Sequence, residues 1–388
     1  MIEILYFIPI LLSAFAIGNF LFTFFKLKIT YMEESIFSIA LGFAFYSYLT
    51  FFFGIMGMLY AWIYLIIIAI ILAIFHKRWI LFLEKILYSI KSFRLKLNFE
   101  TFLIIVIAVF AVLAALSALV PPFLWDELDY ELGIPKSYVR HHAIFPNFSS
   151  WASERAYFAN MLFVIGILLK NGILAKLFAL SNGLLLMLSI YAFGKRFYNK
   201  NVGLIAASVY MTLPMIMNHI GSTYIDISTA LFLFLAMYSF IMWTGNNSAS
   251  WLVSSAIMTG ISLASKLSAI FSGIVLGFLI IYYLAMKRDK KFMQKILLFA
   301  AITILMSLPW LVKSYINTGN PVWPLAYDVF GGKYWDSELA AEFSKNKLLF
   351  KDEGISILFK LPWEITMNSP KYFMRLGWNS VFLAFIPL

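Results

Sequence analysis

The sequence predicts an all-α polytopic membrane protein, and three observations carry that prediction. Its 388 residues are 62% hydrophobic and only 13% charged, with 40 phenylalanines, a balance no soluble domain carries. Runs of about 20 apolar residues recur, each long enough to cross ~30 Å of hydrocarbon. The alternation of a membrane β-barrel is absent, so helices must satisfy the backbone.

Taken in order, apolar runs near 4–25, 36–57, 59–76 and 101–120 read as spans. After an acidic stretch come runs near 157–169, 173–193, 201–217, 223–243, 250–265, 267–286 and 296–312. The first run lacks a basic leader and a small-residue cleavage site, so it reads as a retained span. Residues 1–98 form an N-terminal three-span extension ending in a basic linker, and residues 99–312 a transmembrane core with an external loop over 121–156. Residues 313–377 are less apolar and hold Gly331, Gly332, Pro321, Pro324, Pro362 and Pro370, as an external loop with short helices would. Trp378–Leu388 reads as the start of a further span, with more of the chain to follow. No internal repeat is visible.

Orientation follows from the basic residues. Lys77, Arg78, Lys85, Lys91, Arg94 and Lys96 form one cluster, Lys195, Arg196 and Lys200 a second, and Lys287, Arg288, Lys290, Lys291 and Lys295 a third. All three belong in the cytoplasm by the positional rule for Lys and Arg. That rule also explains the net charge of +11 without a nucleic-acid partner. The acidic stretch then lies outside the cell membrane, and parity makes 157–169 a helix at the outer interface rather than a crossing. There are no cysteines, which excludes disulfides, thiolate metal sites and thiol nucleophiles.

The candidate chemistry sits at the outer face. Trp125-Asp-Glu-Leu-Asp-Tyr-Glu131 packs four carboxylates into six residues, in a chain with 19 acidic residues. Pro121 and Pro122 end the incoming helix and suit the start of a new one. In a helix Asp126, Asp129 and Tyr130 would share one face, and Glu127 and Glu131 the next. Crowded carboxylates repel, which raises one pKa and equips a base; acids capping a solvated helix start are the plainer reading. Asp226 stands at the mouth of an apolar span, where a carboxylate is costly unless paired or hydrated. His219 and Tyr224 are its polar neighbours. A divalent cation held by Asp126 and Asp226 is the one cofactor these residues would support. Lys266 and Lys313 are placed to meet an anion such as a lipid phosphate, or to snorkel as interfacial anchors. His141-His142 lacks zinc-ligand spacing. Trp125, Trp151, Trp310, Trp323 and Trp335 form an aromatic belt or stack on a sugar, and Asn147-Phe-Ser149 matches a glycosylation acceptor.

These residues resemble a known group. The proline exit, Trp-Asp-Glu-Leu-x-Tyr, Ala159-Asn-Met-Leu-Phe163, Tyr224-Ile-Asp226, Ser265-Lys-Leu-Ser-Ala269 and Thr318-Gly-Asn-Pro-Val-Trp-Pro324 look like the membrane glycosyltransferases of the GT-C fold. The closest branch is similar to protein mannosyltransferases and the aminoarabinose transferase of lipid A, over roughly Phe99 to Leu388. The resemblance implies that Asp126 is the catalytic base and Glu127 its acidic neighbour. Asp226 falls where related enzymes carry a second external acid. Lys313 falls where many relatives hold the donor phosphate with arginine, and Lys266 matches a recurring lysine. It also implies a polyprenyl-phosphate sugar donor, a protein, lipid or glycan acceptor, and inversion at the anomeric carbon. A transporter or lipid flippase is the rival class; it would place charges near the midplane, often with inverted repeats. An oligosaccharide ligase or polymerase of the same fold is the rival enzyme.

Overall fold

In the computed structural model, residues 2–347 are described except 93, 95, 97, 148–150 and 334, together with 356, 360, 363, 364, 366 and 367. The apolar run Trp378–Leu388, Pro362, Pro370, Ser149 of the acceptor triplet and the side chain of Trp151 lie outside the described residues. Sixteen α-helices are described, and no strand.

The N-terminal unit is α1 (Ile2–Thr23), α2 (Tyr31–Ile55), α3 (Ala61–Ile74) and α4 (His76–Ser92). α1 and α2 lie backbone to backbone, because a Cβ on Gly18 would meet the Ser38 carbonyl oxygen at 1.8 Å and one on Gly42 the Ala14 oxygen at 1.9 Å. Small residues permit such approach in lipid. The basic linker is helical rather than loop: α4 turns 78° from α3. It buries Phe82 against Phe15, ring centroids 4.0 Å apart, and leaves Ile80, Leu81, Leu87 and Ile90 exposed. One apolar face and one basic face suit a helix lying in the membrane interface.

The core follows as α5 (Phe99–Ala118), α6 (Gly133–His141), α7 (Phe158–Leu169), α8 (Gly172–Phe197), α9 (Lys200–Thr212), α10 (Pro214–Ile220), α11 (Asp226–Asn246), α12 (Ala249–Ser265), α13 (Ile270–Met286) and α14 (Phe292–Thr318). Two short helices, α15 (Tyr327–Phe330) and α16 (Ser337–Lys347), come after it. Among the described residues seven helical segments are long and apolar enough to cross a membrane, or up to nine if α3 with α4 and α9 with α10 each count as one bent span. Pro214 opens α10 and the chain bends 72° there, as a missing N–H and a fixed φ require. The outward faces of α5 and α13, including Phe102, Val112, Phe271 and Phe278, are exposed; such a surface belongs in hydrocarbon.

α7 differs from expectation. Residues 158–166 are all buried, so it is enclosed by protein instead of lying open at the interface. Its Phe158 packs against Trp310, Phe232 and Tyr48. Trp310 is buried in that cluster and Trp323 packs on Trp335, which removes Trp310 and Trp323 from any belt; Trp125 is exposed.

Polar cross-links sort the helix ends into two sets. At one end Glu33 takes the Arg196 guanidinium and the Tyr238 hydroxyl, Lys200 pairs with Glu100, and Lys295 bonds Asp289 and Asn247. At the other, Asn171 bonds Glu3 at 3.0 Å, Leu59 bonds His142, and the acidic loop meets the start of α11. All three basic clusters fall at the first end.

Candidate active site

The acidic loop is held from both sides. At the end of α5, Lys176 of α8 donates to the Ser117 and Val120 carbonyls at 2.9 and 2.8 Å. This satisfies carbonyls that a helix C-terminus leaves open just before Pro121. Glu127 then turns inward and is fully buried. One carboxylate oxygen accepts from the Phe123 and Leu124 N–H groups at 3.2 and 3.3 Å, the other from the Thr223 N–H at 2.8 Å. Glu127 thus ties the loop to the approach of α11. Its acceptor sites are taken, and it does not line the cavity described next.

Residues 127–131 form a single wide π-helical turn, closed by Leu132 N–H to Glu127 O at 2.9 Å. Such turns often accompany functional sites. Here the turn buries Glu127 and Glu131, leaves Asp129 exposed, and sets Asp126, Tyr130 and Glu131 on one cavity.

That cavity, of about 460 Å³, is lined by Asp126, Tyr130, Glu131, Arg155, His219, Tyr224, Asp226 and Lys266, with Leu186, Ile216 and Ala230 among its apolar walls. Five of the sequence-selected residues, Asp126, His219, Tyr224, Asp226 and Lys266, therefore meet. α10 carries His219, whose ring lies 4.7 Å from that of Tyr224. Asp226 opens α11, and Lys266, at the end of α12, donates to it at 2.6 Å. That pair is open to solvent, with side chains 50% and 39% exposed, so its net strength is about 0–1 kcal/mol. Tyr130 hydrogen-bonds Asp126; burial, with the charges of Glu131 and Asp126, pushes its phenol up. Tyr224 is likewise raised, by burial and then by the charges of Asp126, Glu127, Glu131 and Asp226.

Arg155 is the member that sequence reasoning passed over, and Glu131 entered there only as one of the crowded carboxylates. Glu131 accepts from the Asn160 amide of α7, and its carboxylate lies 3.9 Å from the Arg155 guanidinium. Burial pushes its carboxyl up to about 7, with Arg155 and Asn160 pulling the other way. The Arg155 guanidinium stands 4.5 Å from the Tyr130 ring centroid, a favourable cation–π distance. An arginine at the mouth of an apolar helix was the available signal, by the same cost argument that singled out Asp226.

Lys313 is elsewhere. It is buried on α14, donates to the Ser153 carbonyl at 2.7 Å, and pairs with Glu154 at 3.3 Å. Glu154 also takes the Asn317 amide at 2.8 Å and the Ser153 hydroxyl at 3.1 Å. Lys313 does not line the cavity; its ammonium meets the Ser153 carbonyl and the Glu154 carboxylate instead. The knot it forms fixes residues 153–154 and so delivers Arg155. No group of three or more metal-ligating side chains gathers among the described residues, and the Asp226 carboxylate suggested for a cation is taken by Lys266.

A family model, dolichyl-phosphate-mannose-protein mannosyltransferase, matches residues 156–312. The match runs from α7 through most of α14 and supports a multi-pass membrane glycosyltransferase of the GT-C type. No curated protein and no solved structure matches the chain.

Proposed function

We propose that the chain transfers a glycosyl unit from a polyprenyl-phosphate-linked sugar to an acceptor hydroxyl, with inversion, at the extracytoplasmic membrane face. One observation carries this reading: a single cavity collects the carboxylate of Asp126 and the cations Arg155 and Lys266. Displacement at an anomeric carbon needs a base for the nucleophile and positive charge for the departing phosphate. The three basic clusters at the opposite end support an outward-facing cavity.

In the reaction, Asp126 accepts the proton of the acceptor hydroxyl as its oxygen attacks the anomeric carbon. The bond from that carbon to the phosphate oxygen breaks, and the electron pair leaves on the polyprenyl phosphate. Arg155 offers a planar fork to two phosphate oxygens, while Lys266 offers a point charge. Lys266 becomes available when the phosphate displaces Asp226, at little cost for so exposed a pair. Asp226, His219 and Tyr224 then orient the acceptor. Tyr130 holds Asp126, and Glu131 holds Arg155.

Transfer from a polyprenyl-phosphate sugar by the purified chain tests this. Asp126→Asn is expected to lower the rate by about 10²–10⁴-fold, the usual contribution of a general base. Unimpaired transfer by that variant removes the assigned base.

A further inference from the structure

A second cavity lies at the basic end of the N-terminal unit, away from the chemistry. It measures about 260 Å³ and is bounded by α1, α2 and α4 through Phe15, Asn19, Tyr31, Glu34, Lys77, Arg78, Leu81 and Lys85. At ~30 Å³ per water this is room for roughly nine waters, enough for a phosphate with its glycerol. Three cations and one carboxylate line it.

The polar groups are organised. Asn19 donates to Glu34 at 2.8 Å and accepts from Arg78, Nη1 to Oδ1 at 2.5 Å. The Lys85 ammonium stands 3.4 Å from the Tyr31 ring centroid. No ion pair joins Lys77, Arg78 or Lys85 to a carboxylate among the described residues. The one acid in the wall is engaged by Asn19, so net positive charge faces the cavity. α4 itself turns 78° out of line with α3 and exposes Ile80, Leu81, Leu87 and Ile90. It therefore runs along the interface, with acyl chains under its apolar face and headgroups beside its basic one.

We infer that this cavity binds the phosphate headgroup of an anionic phospholipid in the leaflet against which α4 lies. Basic recesses between membrane helices take such headgroups, and the exposed leucines and isoleucines of α4 supply a path for the acyl chains. The ligand chemistry is a phosphodiester; the lipid source follows from the position of α4 at the interface. Cations left without acid partners are costly near hydrocarbon, and a lipid phosphate would neutralise two of them. Nothing in the transfer reaction uses this site, so the lipid serves the seating of the N-terminal unit.

The full chain, purified and reconstituted in nanodiscs of equal phosphatidylglycerol and phosphatidylcholine, tests the inference by native mass spectrometry of retained lipid. We expect at least fivefold preference for phosphatidylglycerol, and at least fivefold loss of that preference in Lys77→Gln/Lys85→Gln. Lys287→Gln/Lys290→Gln removes equal charge from another cluster and is expected to leave retention unchanged. Arg78→Gln guards against misfolding of the double variant: its melting curve reports folding and its retained lipid reports the site. Millimolar glycerol phosphate is expected not to displace the lipid. Equal retention of both lipids, undiminished retention in the Lys77/Lys85 variant, equal loss in the control variant, or displacement by glycerol phosphate would each overturn the assignment.

Discussion

Glu154 and Arg155 are joined by one peptide bond, yet they belong to two unlike charge pairs. Glu154 pairs with Lys313, and the two side chains are only 2% and 4% exposed. Every polar atom of that knot for which a contact is described meets a protein partner: the Ser153 carbonyl, the Ser153 hydroxyl and the Asn317 amide. Arg155 faces Glu131 at 3.9 Å with a fifth of its side chain exposed, on the wall of the 460 Å³ cavity. The first pair is closed off from the cavity and held among protein partners. The second is looser and opens onto space for a ligand. A charge near a membrane face is therefore informative only once its partners are known.

The closed pair should respond most strongly to substitution. Lys313→Ala strands the Glu154 carboxylate in the interior and should cost about 3–5 kcal/mol of stability, read by thermal or denaturant unfolding in detergent. Lys313→Met with Glu154→Leu removes both charges and should recover most of that loss, while transfer per folded molecule stays within a few-fold of the parent. If Lys313→Met/Glu154→Leu folds but transfers nothing, Lys313 does more than hold structure.

For the open pair, Arg155→Lys should keep the fold and raise KM for the lipid-phosphate donor about tenfold, because a point charge cannot replace the planar fork. Steady-state kinetics over donor concentration checks this; unchanged KM separates Arg155 from the donor.

Glu131 adds a pH signature. Its carboxyl is raised to about 7 in the fold, against about 4.3 in an unfolded chain. The folded state thus holds a proton that the unfolded state has lost. The associated stability is full below the unfolded value and disappears as pH rises to about 7. Relative to Glu131→Gln, the parent should lose roughly 4 kcal/mol between those limits and then level off. Parallel melting curves across that range check the sign; a difference that grows with pH contradicts the burial argument.

The smallest effect belongs to the exposed pair. Asp226→Asn should change stability by less than about 1 kcal/mol, and it frees Lys266 without an added anion. A large loss of stability there would mean the pair is not the solvent-open contact described.

Much of the fold was legible because hydropathy registers length. The run near 101–120 is α5, Phe99–Ala118, and the run near 173–193 is α8, Gly172–Phe197. What hydropathy does not register is what covers an apolar face. α7 is apolar but for Asn160, and composition alone cannot tell lipid from protein as its surroundings. α4 was hidden because its Lys and Arg residues read as linker, although Trp79, Phe82 and Leu87 recur at helical spacing. The bend at Pro214 was visible only as a residue, not as an angle.

The site was half legible for a related reason. Asp126 and Asp226 stand out because carboxylates at the mouths of apolar helices are rare. Their meeting with Lys266, His219 and Tyr224 depends on α10, α11 and α12 converging, which order along the chain does not dictate. Glu127 and Lys313 carried the same surface signal, but backbone amides occupy one and Glu154 the other. Arg155 was obscured by its place beside Glu154 in a short polar stretch.

Transfer rates in proteoliposomes, normalised to folded protein, for Asp126→Asn and Lys313→Met/Glu154→Leu side by side, decide whether the proton acceptor sits in the cavity and the buried knot apart from it. A loss of at least about 100-fold is expected for the first and at most a few-fold change for the second. Full activity in Asp126→Asn, or abolished activity in a well-folded Lys313→Met/Glu154→Leu, would overturn that assignment.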